Sequence, residues 1–368
     1  MPYANPSRFK LPIVSPYRLT DDRQAEFLAA MEAIMHSGTY RTAGGWSRRV
    51  AGCVAAELRL PGSWTVVPTR SGTDALVMAL AMAGVRPNDH VAAPDLAYHA
   101  VGAAISQIGA VPRWIDVDPG SFNMDVGDLA AACDAAPVAA VVAVDNYGTP
   151  CDRSGIARVC ASRRIPFVLD ACESLGTPPN TENSVCQADF VALSFSFTKP
   201  IHAAGAGGAL CAPRHVVEER GGHPGLLMHP RRLPELNAAY LALAWPDLSK
   251  VVGKLRLVYD AYRERLAGTP LSGQADGGES NRIHAPFLLP PDAGRSERDA
   301  LISRLAASGF EARAYFESQS RLWGTASPLV SARLAGRVIC LPTGPGFPLE
   351  CVESVTSELK RALGARRT

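Results

Sequence analysis

The segment Trp64-Thr-Val-Val-Pro-Thr-Arg-Ser-Gly-Thr-Asp-Ala-Leu76 joins an apolar run of strand length to the start of a helical pattern. Ser71, Gly72 and Thr73 stand at the junction, where the first backbone N–H groups of a helix have no partner within the helix. These groups lie at the positive end of the helix dipole, so the junction can accept a phosphate group. A Ser or Thr followed by Asp is also typical of an ordinary helix N-cap, and the motif alone favours that simpler interpretation.

Short apolar runs and helical patterns alternate from residue 64 to residue 211. The apolar runs that predict strands are Trp64–Val67, His90–Pro94, Arg113–Val117, Val138–Asn146, Pro166–Cys172, Phe190–Ser196 and Gly208–Cys211. The helical patterns between the first five of them are Asp74–Ala83, Tyr98–Ser106, Val126–Cys133 and Ser154–Ser162. Because the runs are apolar enough to be buried on both faces, we predict an α/β fold with a mostly parallel seven-stranded sheet sandwiched by helices.

The length of 368 residues allows roughly two to two and a half domains of ~150 residues. We predict an N-terminal segment at residues 1–36 with a helix at Asp21–His36, a large domain at 37–245 and a smaller α+β domain at 246–368. The elements predicted in the last part are a long helical stretch at Glu235–Ala267 interrupted near Pro246, a polar loop at Ser272–Ser280, a strand at Pro286–Leu289, a helix at Ser296–Ser308, a strand at Glu311–Tyr315 and a helix at Glu350–Leu363.

The composition excludes several classes of protein. Hydrophobic residues make up 47% and charged residues 20%, which is too apolar for a disordered chain. The 37 basic residues nearly balance the 35 acidic ones, so we expect no nucleic-acid partner. No apolar run approaches the ~20 residues of a membrane-spanning helix, and no signal peptide is visible. The nine cysteines form no C-x-x-C pair or zinc-type cluster, which predicts reduced thiols, no metal and a cytoplasmic protein.

Two more motifs follow predicted strands. Asp170, in Asp170-Ala-Cys-Glu-Ser-Leu-Gly176, falls at the edge where open α/β sheets bind ligands, although an Asp here can also cap a helix. Lys199, in Ser194-Phe-Ser-Phe-Thr-Lys199, stands among apolar and small residues, unlike the usual solvated lysine. A phosphate cradle, a carboxylate for a ring nitrogen and a lysine for a Schiff base are together what pyridoxal phosphate (PLP) requires.

With these motifs in this order, the sequence resembles the DegT/DnrJ/EryC1/StrS family of PLP-dependent aminotransferases, which have the aspartate-aminotransferase fold (fold type I). The resemblance implies that Lys199 forms the Schiff base with PLP and that Asp170 lies beneath the pyridine nitrogen. The other cofactor-binding residues that it implies, together with Ser71 at the helix start, are Gly72, Thr73, Tyr98, Glu173 and Ser194. We expect burial and the neighbouring cationic imine to lower the pKa of Lys199 once it is released.

The sequence departs from the family pattern at three places. The acidic residue of the family's Gly-Glu-Gly-Gly is replaced by Ala206, and a sugar-side histidine is missing near Ser318. Pro230, in His229-Pro-Arg-Arg232, stands where the resemblance implies an Asn donated to the partner's phosphate site. Arg231 or Arg232 can replace that contact, or the two can be a solvent-facing pair. The candidate substrate-binding residues are Tyr147, His202, Arg231 and Arg232.

The resemblance implies an enzyme that moves an amino group from an amino-acid donor, glutamate, to the keto group of a nucleotide-linked sugar by a ping-pong Schiff-base mechanism. It also implies a homodimer with shared active sites. Three alternatives stay open: an aminotransferase for a cyclitol or another small ketone, a PLP-dependent sugar dehydratase, and a non-catalytic regulatory paralogue. The dehydratases of the family typically have His at the position of Lys199, so this lysine favours transamination.

Overall fold

The computed structural model describes residues 9–40, 44–178, 183–221, 231–275, 279–326 and 328–364. Its strands are β1 (Trp64–Thr69), β2 (His90–Pro94), β3 (Leu96–Ala97), β4 (Val111–Ile115), β5 (Ala140–Val144), β6 (Phe167–Asp170), β7 (Phe190–Ser194), β8 (Gly208–Pro213), β9 (Ser272–Gly273), β10 (Ala285–Leu288), β11 (Glu317–Ser318) and β12 (Val338–Leu341). Its α-helices are α1 (Asp21–Ser37), α2 (Gly45–Glu57), α3 (Gly72–Met82), α4 (Ala100–Gln107), α5 (Val126–Ala135), α6 (Arg153–Arg163), α7 (Arg214–Arg220), α8 (Glu235–Ala244), α9 (Leu248–Arg265), α10 (Arg295–Ala307), α11 (Gln319–Leu322), α12 (Leu329–Arg337) and α13 (Cys351–Gly364).

The main sheet has seven strands in the order β1-β8-β7-β6-β5-β2-β4. Strands β4, β2, β5, β6 and β7 pair in parallel, whereas β8 runs antiparallel to both of its neighbours, β7 and β1. All of β5 is buried, as expected for a strand that is covered on both faces. The predicted mostly parallel, seven-stranded sheet is confirmed.

Helices cover both faces of this sheet. The side chains of β5 alternate between two cores, because successive residues of a strand point to opposite faces. Val142 and Val144 pack with α3 and α4 in one apolar cluster. Val141 and Ala143 pack with α6, α8 and the first half of α9 in another. The predicted helix–sheet–helix sandwich is therefore confirmed.

The C-terminal part has its own smaller core. The antiparallel sheet β12-β10-β9 packs with α10, α13 and the second half of α9. Helix α9 belongs to both cores, since Leu255 packs into the large one and Val258 into the small one. The N-terminal segment also contacts both parts: α1 packs on α8 in a third apolar cluster, while Val14 forms a β-bridge with Thr343. The domain boundaries at 36/37 and 245/246 stay predictions.

The prediction of a strand at Glu311–Tyr315 is wrong. This segment forms an isolated bridge between Arg313 and Cys340, and the N–H of Glu311 donates to the backbone oxygen of Leu11 at 2.9 Å, but it forms no continuous ladder among the described residues. Glu311 accepts hydrogen bonds from the backbone N–H of Ile13 at 3.0 Å and from Arg313 at 2.9 Å. Contacts of polar side chains with other parts of the protein therefore fix this segment, which the sequence predicted as a strand.

Eight of the described elements were not predicted from the sequence, namely α2, α7, α11, α12, β3, β9, β11 and β12. The predicted loop Ser272–Ser280 contains the short strand β9, and its residues 276–278 lie outside the described part of the chain. Among the described residues, no helix is long and apolar enough to cross a membrane.

Candidate active site

Asp170 lies at the carboxyl end of β6, in the middle of the sheet, where the strand leaves the core. Its side chain is buried, and one carboxylate oxygen accepts the backbone N–H of Cys172 at 3.1 Å. Burial raises the pKa of Asp170 to about 6, and the hydrogen bonds from Cys172 and the charge of Lys199 oppose this rise. The carboxyl group is therefore mostly ionised at neutral pH.

Lys199 lies in the turn after β7. Its side chain points to Glu173, three residues beyond the end of β6. Its Nζ lies 3.3 Å from Oε1 of Glu173, and both side chains are largely buried. Glu173 has two further partners: Nε2 of His284 lies 3.0 Å from Oε1, and the backbone N–H of Tyr147 donates to Oε2 at 3.0 Å. The structure thus brings Lys199 and Glu173 together with a histidine that sequence analysis did not select.

The charges of this cluster are coupled. Burial tends to raise the pKa of Glu173, but His284 and Lys199 outweigh burial and lower that pKa to about 2. Burial tends to lower the pKa of Lys199, but the carboxylate of Glu173 outweighs it, and the net change is a rise. In this cluster the ionised carboxylate that is buried with the lysine outweighs burial. The lowering expected for Lys199 after its release beside a cationic imine stays a prediction.

Replacing Glu173 by Gln is expected to lower the pKa of Lys199, since an amide cannot stabilise the ammonium as an adjacent carboxylate does. The pKa is measured as the pH dependence of Lys199 acetylation by acetic anhydride, followed by mass spectrometry of the peptide. Glu353→Gln, at an exposed position of α13, removes the same charge elsewhere and leaves that pKa unchanged. Identical acetylation profiles for Glu173→Gln and the wild type would contradict the coupling.

The start of α3 meets the ends of β6 and β7. Ser71 is the N-cap of this helix: its hydroxyl accepts the N–H of Asp74 at 3.0 Å, so the N-cap interpretation of the motif holds for this side chain. A Cβ added to Gly72 would lie 2.6 Å from Sγ of Cys172 and 3.1 Å from Cβ of Ser194. The first turn of α3 therefore lies directly against these two residues, which joins the three sequence motifs into one site.

Gly72 and Gly208 make this close approach possible. A Cβ on Gly208 would lie 2.4 Å from the backbone carbon of Ser71, and Gly208 is also the Cα partner of both Thr69 and Ser194 in the sheet. A side chain at position 208 would push the start of α3 away from β7. The departure at Ala206 lies in an exposed part of the loop before β8, away from this contact.

Arg231 is anchored at the start of α3. Its Nη1 donates to Oδ1 of Asp74 at 2.5 Å, and its backbone oxygen accepts the N–H of Arg70 at 2.7 Å. Nε of Arg70 binds the other oxygen of Asp74 at 3.0 Å. Arg231 is thus part of an ion cluster beside the helix start and not one of a solvent-facing pair. Arg232 forms a backbone bridge with Thr69, and His229 and Pro230 lie outside the described residues.

The two tyrosines among the predicted site residues, Tyr98 and Tyr147, differ in exposure. Tyr98 follows β3 and is 43% exposed, with its ring centroid 4.0 Å from that of His99. The Tyr147 side chain is fully buried, with its ring centroid 6.0 Å from that of His284, and its backbone N–H binds Glu173. Its φ of 59° lies in the left-handed region, which is rare for an aromatic residue and directs this N–H to Glu173.

His202 is held inside the protein. Its Nε2 lies 2.9 Å from the backbone oxygen of Tyr17, and its Nδ1 accepts the N–H of Ala204 at 3.1 Å. The ring stacks on that of Tyr240 in α8, at 5.1 Å between centroids. Because both ring nitrogens are engaged in these contacts, the structure does not bring His202 together with Lys199 and Glu173.

Two functional candidates were missed, both just before β10. Nε2 of His284 binds Glu173, and Nδ2 of Asn281 donates to the backbone oxygens of Glu173 at 2.6 Å and Leu175 at 2.9 Å. These contacts fix the segment that follows β6. The polar run Ser280-Asn-Arg-Ile-His284, leading into a buried strand, was the available signal, since polar groups at such a position need buried partners.

The sheet and the lysine–carboxylate cluster at its edge define an enzyme of the α/β aminotransferase class. The model of the DegT/DnrJ/EryC1/StrS aminotransferase family matches residues 21–220 and 213–360, and the chain therefore belongs to this family. The predictions of the family and of an aminotransferase are confirmed.

Characterised relatives and solved structures agree with this assignment. The chain is 28% identical over 312 residues to UDP-N-acetyl-3-dehydro-alpha-D-glucosamine 3-aminotransferase of Acidithiobacillus ferrooxidans, covering 80% of this chain and 83% of the relative. It is 26% identical over 313 residues to GDP-perosamine synthase of Vibrio cholerae, covering 79% and 84%. The crystal structure of DesI in the presence of its TDP-sugar product superposes with a TM-score of 0.86 at 24% identity, covering 97% of this chain and 94% of that chain. This last likeness supports the fold.

Proposed function

We propose that the protein binds PLP and transfers an amino group from an amino-acid donor, glutamate, to the keto group of a nucleotide-linked sugar in a ping-pong reaction. The observation that carries the proposal is the Lys199 ammonium, buried 3.3 Å from Glu173 beside the end of β6. A buried lysine at the carboxyl edge of a parallel sheet lies where such sheets bind ligands, and its amine can bond with a carbonyl carbon once the ammonium proton is lost. The names of the two curated relatives support the nucleotide-linked acceptor.

The residues present fit a phosphorylated pyridine. The start of α3 offers backbone N–H groups to a phosphate, and the absence of a side chain at Gly72 keeps Ser194 close to them. Asp170 offers a buried carboxylate for a ring nitrogen, and the exposed ring of Tyr98 offers a flat apolar face. When bound, PLP supplies an electrophilic aldehyde carbon and an electron-withdrawing ring.

The chain's own residues then have separate tasks. Asp170 is ionised above its pKa of about 6 and holds a proton on the ring nitrogen at neutral pH. Lys199 would give its ammonium proton to solvent water, and its neutral amine would then move a proton at the α-carbon of the donor. Glu173, with a pKa of about 2, does not accept that proton at neutral pH, so it orients Nζ of Lys199 and is not its base. His284 and the N–H of Tyr147 fix the orientation of Glu173.

The acceptor class is tested by loading the enzyme with an amino group from glutamate and offering a panel of nucleotide-linked keto sugars and keto-cyclitols. We expect nucleotide-linked keto sugars to gain the amine and to restore the original visible spectrum of the enzyme. Mass spectrometry of the product separates the gain of an amino group from the loss of water. Preferred amination of a cyclitol, or dehydration without amination, would contradict the proposal and favour one of the alternatives.

We further propose, from the family resemblance, that the enzyme is a homodimer whose subunits share their active sites. Sedimentation velocity of the active enzyme at assay concentrations measures this directly, and a fully active monomer would contradict it.

A further inference from the structure

Four arginines line one recess in the C-terminal part of the molecule. The recess has a volume of about 600 Å³ and lies between the start of α10, the α11 segment and α12. The arginines are Arg295, Arg321, Arg333 and Arg337. No acidic residue is among the described residues that line it. A concave surface with this composition attracts anions.

The positive charge of the recess is only partly neutralised. Arg295 donates to Glu317 at 2.6 Å, and Nε of Arg321 lies 4.0 Å from the other oxygen of the same carboxylate. Two guanidinium groups therefore share one carboxylate. One carboxylate neutralises one of these two positive charges, and each guanidinium carries five N–H donors.

The other two arginines have no carboxylate partner within 4.0 Å among the described residues. Arg337 donates from Nε and Nη2 to the backbone oxygen of Leu289 at 2.9 and 2.6 Å, and this acceptor carries no charge. The exposed Asp292 is the acidic group that acts on Arg337 from a distance, and Arg333 is exposed on α12. The four lining arginines thus have three acidic neighbours, Glu317, Asp292 and Asp299, and Asp299 is itself paired with Arg298 at 2.8 Å.

The start of α10 is already capped by a carboxylate, because Glu297 accepts the backbone N–H of Gly294. Gly294 and Arg295 line the recess at this helix start. The arginines, and not the helix dipole, are therefore the groups that attract an anion here. Guanidinium groups bind phosphate oxygens through paired N–H donors, and a recess of this size accommodates a phosphorylated small molecule.

We propose that this recess binds the phosphate or diphosphate group of a small phosphorylated ligand. The position of the recess favours the diphosphate of the acceptor, an extension that rests on the proposed function. Ser318 in the recess wall belongs to β11, and its neighbour Glu317 is the Cα partner of Ala97 in β3. Tyr98, the proposed ring-stacking residue, follows Ala97 directly, so the recess borders the segment that leads into the proposed cofactor site. A free phosphorylated ligand is the other source of the same chemistry.

The site is tested by isothermal titration of the purified enzyme with inorganic diphosphate, uridine diphosphate and uridine at low ionic strength. We compare the wild type with Arg321→Gln/Arg333→Gln, which removes two exposed charges from the recess. Arg263→Gln/Arg265→Gln on α9 is the matched control, since it removes two exposed charges elsewhere. We expect the recess variant to bind both diphosphates at least tenfold more weakly, the control to stay within twofold of the wild type, and added salt to weaken binding.

The source of the diphosphate is separated by steady-state kinetics. Competition of uridine diphosphate with the keto acceptor, together with a raised acceptor KM and an unchanged donor KM in the recess variant, identifies the acceptor's diphosphate. Diphosphate binding without an effect on the acceptor KM identifies a free phosphorylated ligand; both results support the site. No binding of diphosphate by the wild type, equal binding by the recess variant, or equal affinities for uridine and uridine diphosphate would overturn it. The titrations need no turnover, so a failure of the proposed function shows separately, as the absence of amine transfer.

Discussion

Lys199→Ala is expected to abolish the visible absorbance that the protein acquires with PLP and to reduce amine transfer by at least ~10²–10⁴-fold. The magnitude is what a positioned proton-transfer group contributes, and the loss of the covalent bond to the cofactor adds to it. Among the described residues, Lys199 is the lysine that pairs with Glu173, at 3.3 Å. Absorbance spectroscopy and the rate of amine transfer measure the two effects.

Lys254→Ala provides the matched control for this variant. Lys254 lies in α9, and its Nζ donates to the backbone oxygen of Pro345 at 3.0 Å, so it is also a partly buried lysine with a defined contact. We expect this control to keep both the absorbance and the activity. Borohydride reduction followed by peptide mapping locates the lysine that carries the cofactor. Retention of wild-type absorbance by Lys199→Ala, or label on another lysine, would disprove the assignment.

The strands of the main sheet could be predicted because burial on both faces leaves a continuous apolar run in the sequence. The run at Val138–Asn146 contains β5, and the run at Pro166–Cys172 contains β6, each with its polar residue at the carboxyl end. The position of Asp170 followed from this pattern alone. The segment Glu311–Tyr315 shows where the same reasoning fails, because its backbone is fixed by contacts of Glu311 and Arg313 that no local pattern encodes.

The interior of the site depends on contacts between residues far apart in the sequence. Glu173 and His284 are separated by 111 positions, and no sequence motif near either residue indicates that the two are in contact. Tyr147 was predicted as a substrate-binding residue, and its left-handed backbone conformation, which the sequence did not indicate, directs its N–H to Glu173. The net rise in the pKa of Lys199 depends on its contact with Glu173. Sequence reasoning therefore selected Lys199, Asp170 and Glu173 but not His284, which helps to set the charge of Glu173.

Asp170→Asn is expected to weaken PLP retention and to lower the rate of amine transfer by about 10²–10³-fold, the usual loss when one electrostatic contact to the reacting group is removed. The amide keeps an oxygen for the N–H of Cys172, so the local backbone contact is retained. It cannot hold a proton on the ring nitrogen as a carboxylate does. Dialysis against buffer without PLP measures retention, and Asp170→Ala is expected to lose both properties further.

Although Asp170→Asn is expected to lose activity, its free energy of unfolding at pH 7 is expected to rise. Because burial raises the pKa of Asp170 from its ordinary value of 3.8 to about 6, the folded protein binds this proton more tightly than the unfolded chain does. Wild-type stability therefore falls as pH rises from about 4 to about 6, by on the order of 3 kcal/mol for this group. Asp170→Asn lacks this loss, so urea unfolding at pH 7 should show a more stable apoprotein than the wild type, with little difference at pH 4.

Asp189→Asn separates these effects from a general loss of a carboxylate beside β6. Oδ2 of Asp189 accepts the N–H of Phe167 at 2.8 Å, at the opposite end of the same strand from Asp170. This control is expected to retain PLP and activity. Wild-type cofactor retention and rate in Asp170→Asn would remove Asp170 from the proposed role. Reduced stability of Asp170→Asn at pH 7 would show that the buried charge stabilises the fold. If instead activity is lost while stability is gained, Asp170 is a residue that costs the fold free energy and is retained for the cofactor.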